Sequence, residues 1–125
     1  MSHARSAALV LVGGAVGTLG RHGVAESWAA SSSVWPWPTF VVNIVGSLAL
    51  GLVVVRMTRP DHDGRLLLGT GLLGGFTTYS AFAIETDRLF RDDRLVLAVL
   101  YPPITVTLGV VAAVAGMLLG RRQIA

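Results

Sequence analysis

The side chains here that could do chemistry are uncharged hydrogen-bonding groups set inside long apolar runs. Asn43 is one of them, and Thr39, Asn43 and Ser47 recur at four-residue spacing, which places them on one face of a helix. The amide of Asn43 offers two donors and an acceptor. Those groups suit an interhelical hydrogen bond as well as they suit the wall of a solute path, and residue type alone leaves both open. A second concentration is Gly74-Gly75-Phe76-Thr77-Thr78-Tyr79-Ser80-Ala81-Phe82. Between Gly69 and Ser80 twelve residues hold four Gly, three Thr and one Ser, and glycine costs about 1 kcal/mol relative to alanine in a helix interior. Two adjacent glycines followed by Thr77, Thr78 and Ser80 predict a break in the helix. Carbonyls freed at such a break can hold a cation, while hydroxyls and amide N–H groups can meet an anion. The competing reading is a continuous helix whose Ser and Thr bond back to the preceding turn. Tyr101, Thr105 and Gly109 form a third set, again four residues apart, that reads as a polar track or as a packing seam.

The charged residues sharpen this. None lies in the central part of an apolar run; Arg21 and Glu85 fall toward the ends. Proton- or sodium-coupled carriers rely on a buried carboxylate, whereas a passive path for a small anion, lined by neutral donors, does not. With no cysteine there is no disulfide, thiol nucleophile or cysteine metal site. His3, His22 and His62 lie far apart in sequence, which argues against a metal centre built on them. The residues therefore point to passage of an ion or small solute across a bilayer.

The elements that must position these groups are legible from charge-free stretches at 7–20, 27–55, 66–84 and 95–120. A helix needs about 20 apolar residues to cross about 30 Å of hydrocarbon. The predicted spans are about 7–24, 38–55, 66–89 and 95–119, filling one all-α membrane domain over 1–125. A hydrophobic fraction of 53%, a charged fraction of 14% and a mean hydropathy of +0.67 leave no room for a soluble domain beside them. Trp28, Trp35 and Trp37 before the second span read as an interfacial belt. Arg56 to Arg65 reads as a polar hairpin, with Pro60, Asp61 and Gly64 as its turn residues. Small residues at four-residue spacing, Gly13 and Gly17, Ser47 and Gly51, then Ala112, Gly116 and Gly120, predict close helix approach.

The basic residues are ten Arg and no Lys, against seven acids. They sit at span ends and form no patch, which fits headgroup anchors and argues against nucleic acid. The N-terminus imitates a signal peptide, with Arg5, an apolar run and small residues near Ala29, but its glycines argue for a retained span. Six arginines (Arg5, Arg56, Arg59, Arg65, Arg121, Arg122) flank one face and four (Arg21, Arg88, Arg91, Arg94) the other. The positive-inside rule leans weakly to cytoplasmic termini, and a near-balanced chain suits dual topology.

Taken in order, three motifs resemble the small bacterial fluoride channel family (the Fluc or CrcB type). Gly13-Gly14-Ala15-Val16-Gly17-Thr18-Leu19-Gly20-Arg21 is similar to its glycine-rich first-span motif ending in Arg. Thr39 through Ser47 is similar to its second-span motif around an asparagine. Gly74 through Phe82 is similar to its third-span signature, and the resemblance covers nearly the whole chain. It implies a third helix broken mid-membrane and an antiparallel dual-topology dimer with two anion pathways at the subunit interface. It implies that Asn43 donates its amide to fluoride and that Phe82 offers the positive edge of its ring. Tyr79, Ser80, Tyr101 and Thr105 would complete the pathway. A structural Na+ at the dimer centre would be held by the backbone carbonyls of Gly74 and Thr77. Arg21 would be a vestibule or helix-end anchor, and Glu85 a polar group near the pathway's end. The implied role is passive fluoride export across the bacterial inner membrane, relieving fluoride toxicity, by a homodimer or by a heterodimer with a paralogue.

Two positions depart from the family pattern. Tyr79 stands where Phe is usual, adding a hydroxyl to the ring, and Gly109 stands where a serine can occur, shortening the polar track. Two rival readings remain on sequence. A small multidrug-type transporter needs a carboxylate in the first span, and 7–20 contains none. A non-transporting assembly subunit explains the small residues but not the Gly-Gly-x-Thr-Thr signature beside Phe82.

Overall fold

The computed structural model describes residues 2–59 and 62–122. The first helix, α1, runs His3–Ser27, with the Ser2 side chain accepting from the Arg5 N–H at its start. The second, α2, runs Trp37–Arg56, with Pro38 in its first turn, where the missing N–H costs nothing. The third span opens as a π-helix over Arg65–Leu73, continues as a short turn, α3, over Gly74–Phe76, and resumes as α4 over Ser80–Arg91. The fourth, α5, runs Leu95–Arg122. All four spans are long and apolar enough to cross a membrane, and no strand occurs among the described residues. The turn expected at Pro60 and Asp61 lies outside the described residues.

Each helix overruns its apolar stretch into charged residues, α5 reaching Arg122 and α1 starting at His3. Hydropathy marks where a helix is dry; the hydrogen-bonded backbone continues into the interface, where long basic side chains reach the headgroups. Large apolar side chains such as Leu11, Leu19, Val96 and Val99 point outward, as lipid requires.

Glycine sets the packing. A Cβ at Gly13 would stand 2.8 Å from the Leu72 nitrogen, and one at Gly17 2.8 Å from that of Phe76. No side chain fits there, so α1 and the third span meet backbone to backbone, as small residues allow. The same holds between α2 and α5, where a Cβ on Gly51 would stand 2.9 Å from the Met117 nitrogen. Pro102 and Pro103 sit inside a continuous α5. Lacking N–H groups, they leave the carbonyls of Ala98 and Val99 without their helical donors. The end of α4 is closed by Asp93 at φ 56°, with Arg94 N–H donating to Leu89 O at 2.9 Å, a Schellman closure built on Asp in place of Gly.

The glycine-rich stretch of the third span is helical further than its composition suggests. Gly69 and Gly71 lie in wide π turns, with Gly74 N–H donating to the Gly69 carbonyl five residues back. Non-helical backbone is confined to Thr77, Thr78 and Tyr79, with Thr77 extended at φ −77°, ψ 159°. The departure thus follows Gly74-Gly75 and does not sit on it.

Candidate functional site

Asn43 and the non-helical segment make one unit. The Asn43 Nδ2 donates to the Thr78 carbonyl at 3.0 Å, and the Thr78 N–H donates to Asn43 Oδ1 at 2.8 Å. One side-chain amide thereby satisfies both backbone groups of a residue outside any helix, the requirement for irregular backbone away from water. An amide has two N–H donors, so one is left for another acceptor. The Thr78 hydroxyl accepts from the Ala81 N–H at 3.2 Å and caps the start of α4.

These bonds free two carbonyls. In a continuous helix Thr78 N–H would go to Gly74 and Ala81 N–H to Thr77; here the first goes to Asn43 and the second to Thr78 Oγ1. The Gly75 carbonyl between them is taken, accepting from Arg21 Nε at 3.2 Å and Thr18 Oγ1 at 3.5 Å. Arg21 therefore lies within α1, bonded to the third span, and not at the helix end. The Thr77 hydroxyl is turned back on the Leu73 carbonyl at 2.8 Å.

Beside this unit lies a cavity of about 330 Å³, with Asn43, Ser47, Thr77, Thr78, Tyr79, Phe82 and Thr105 in its wall. Its polar lining is wholly uncharged. The Thr105 side chain is buried, and its hydroxyl has no partner among the described residues. An orphaned hydroxyl costs about 1–3 kcal/mol unless something else meets it. The Tyr79 ring stands 5.8 Å from that of Phe82 and is 80% exposed.

Tyr101 goes elsewhere. Fully buried, it packs its ring 5.3 Å from Phe82 and 5.2 Å edge-on from Trp35, and donates its hydroxyl to Glu85 Oε2 at 3.1 Å. Thr39 donates to the other carboxylate oxygen at 2.7 Å. Glu85 thus enters a part-buried hydrogen-bonded set with α2 and α5. Ser80 begins α4, exposed, its hydroxyl 3.3 Å from that of Thr78.

Of the residues named from sequence, the structure brings Asn43, Tyr79, Phe82 and Thr105 around one cavity, beside Thr77. Tyr101 and Glu85 form a neighbouring set, and Arg21 faces Glu85 across a cavity of about 230 Å³ that also touches Thr39 and Thr78. Sequence reasoning named Thr39 as a face-mate of Asn43 but not as a partner of Glu85. It also missed the backbone of Thr78 as the target of Asn43. The shared face of α2 was the available signal; the pairing distance was not.

Residues 8–117 match the family described as CrcB-like protein, Camphor Resistance (CrcB). A protein of Hyphomonas neptunium named fluoride-specific ion channel FluC is 42% identical over 91% of this chain and 94% of its own. One of Sphingopyxis alaskensis with that name is 44% identical over 90% and 93%. Fluoride-specific ion channel FluC 1 of Mycobacterium tuberculosis is 37% identical over 94% and 92%. With that likeness running from the first span to the last, the chain belongs to the CrcB family.

Proposed function

We propose that this protein is a fluoride-selective channel of the bacterial inner membrane, through which fluoride leaves the cell passively and without chemical change. The observation that carries the reading is the uncharged cavity at Asn43, where one amide N–H and the buried Thr105 hydroxyl remain to be met. Fluoride is small and strongly hydrated, so a narrow path must replace its water with hydrogen-bond donors. Neutral donors do this without the deep trap that a fixed cation would make, the condition for conduction. The Phe82 ring, in the same wall, adds the positive edge of an aromatic quadrupole. Tyr79 adds a second ring beside it.

Further cavities extend the line in both directions. One of about 440 Å³ shares Glu85 with the Arg21 cavity and is flanked by Arg88 and Arg94. Another, of about 340 Å³, shares Leu50 and Gly69 with the Asn43 cavity and carries Arg65. Arg88 and Arg94 at one end and Arg65 at the other would raise the local anion concentration, partly offset by Glu85 and Asp92, while the Asn43 cavity itself holds no fixed charge that would bind the ion midway.

The working unit in this reading is an antiparallel dual-topology homodimer whose third helix is broken at mid-membrane. The exposure of Tyr79 beside the non-helical segment supports it, since a second copy crossing there would cover that ring. The freed carbonyls of Gly74 and Thr77 fit a hard cation such as Na+, which takes oxygen ligands. When bound at the dimer centre, that ion would neutralise converging carbonyl dipoles and hold the two segments together. The chain's own part is to present those carbonyls, by turning the Thr78 and Ala81 N–H groups to Asn43 and Thr78.

The test is ion efflux from liposomes holding the purified protein alone. Fast fluoride efflux with chloride retained is expected; equal efflux of both ions, or of neither alone or with a paralogue, would sink the reading.

A further inference from the structure

On α5 the polar side chains facing the third span stop early. Tyr101 and Thr105 carry hydroxyls, but the next position on that face, Gly109, has no side chain. The gap is filled from the opposite helix. Ser47 lies one turn beyond Asn43 on α2, lines the same cavity, and its Oγ stands 3.6 Å from where a Cβ on Gly109 would be. Of the other threonine hydroxyls in the cavity wall, Thr77 donates to the Leu73 carbonyl, and Thr78 accepts from the Ala81 N–H and lies 3.3 Å from the Ser80 hydroxyl; the Tyr79 hydroxyl sits on a ring that is 80% exposed. The Thr105 hydroxyl is buried without a partner among the described residues, and Ser47 lines the same cavity.

We propose that Ser47 is an anion-coordinating residue of the pathway, its hydroxyl continuing from α2 the line of donors that Thr105 begins on α5. The pathway then changes helix at Gly109: fluoride passes between Asn43 and Thr105 on one side and Ser47 on the other. The bare Gly109 makes room for this hydroxyl. The inference rests on the assignment of the Asn43 cavity to the anion path.

The geometry supplies its own swap. At 3.6 Å, a Cβ on Gly109 makes ordinary van der Waals contact, so Gly109→Ser is accommodated and would carry a hydroxyl into the space that Ser47 serves. Ser47→Ala should lower fluoride efflux about tenfold, the worth of one hydrogen bond to a charged group. Ser47→Ala combined with Gly109→Ser should recover most of that loss, because the donor returns from the other helix. Thr105→Val is measured alongside. If Ser47→Ala leaves efflux unchanged while Thr105→Val lowers it, Ser47 is no part of the path and the proposal fails alone. If Ser47→Ala lowers efflux and the double variant does not recover it, Ser47 acts through packing and the proposal fails. If both Ser47→Ala and Thr105→Val are silent, the cavity is not the path and both readings fall.

Discussion

The π-helical half of the third span lies against α1 backbone to backbone, while α4, the other half, is held by side-chain hydrogen bonds from α2 and α5. On the first side a Cβ at Gly13, Gly17, Gly71 or Gly75 would run into backbone atoms of the facing segment. On the second, Thr39 and Tyr101 grip Glu85, and Asn43 grips the connecting Thr78. Dispersion between close-packed backbones is insensitive to which polar groups lie nearby. Hydrogen bonds, by contrast, leave specific donors and acceptors over, and at Asn43 and Thr105 those remain beside a cavity. One half of the span thus works as an anchor and the other as a chemical surface, and damage to each should have a different signature.

The largest effect is expected on the anchor side. Gly17→Ala places a Cβ among backbone atoms and should cost more than about 3 kcal/mol, read as loss of folded protein on extraction. Gly23→Ala, where no atom lies within 4 Å, is the control and should be neutral or stabilising by up to about 1 kcal/mol. A normal melting temperature for Gly17→Ala would mean that the backbone contact gives way easily.

Next in size is Asn43→Asp. The carboxylate repels both the Thr78 carbonyl and an anion, so efflux should fall about a hundredfold or more while folded protein is still recovered. Unchanged efflux would remove Asn43 from the mechanism, and loss of folding would move it to the anchor side of the comparison.

Thr105→Val sharpens the distinction because its two effects have opposite signs. Removing an unpartnered buried hydroxyl should leave stability unchanged or raise it by about 1 kcal/mol, while efflux falls about tenfold. Parallel loss of both would show that the hydroxyl is structural.

The smallest effect is expected away from both halves. Arg5 and Asp63 form an exposed ion pair between α1 and the start of the third span. Arg5→Ala should cost less than about 1 kcal/mol in thermal unfolding, and less still at high salt, with efflux unaltered.

The spans, their glycine seams and the uncharged character of their interiors could be read directly from the chain. Hydropathy and charge add up residue by residue, so a window of sequence carries them whole. The sequence raised a break near Gly74-Gly75 beside the alternative of a continuous helix, and composition alone could not choose between them. Glycine lowers helix propensity wherever it stands, and only the wide π turns packed on α1 keep Gly69 and Gly71 helical. Thr39, Asn43 and Ser47 could be placed on one face, yet the face does not say what each one meets.

Those meetings belong to the tertiary structure. Asn43 finds Thr78 across 35 residues, Thr39 finds Glu85 across 46, and Arg21 finds Gly75 across 54. Helical periodicity fixes direction around an axis, but rise along it relative to a neighbour is set by docking. Here that register comes from glycines that let backbones touch at one height and no other. By itself the sequence determined that four dry helices carry a few neutral donors; the docking of those helices decided which donors are satisfied and which are left facing the cavity.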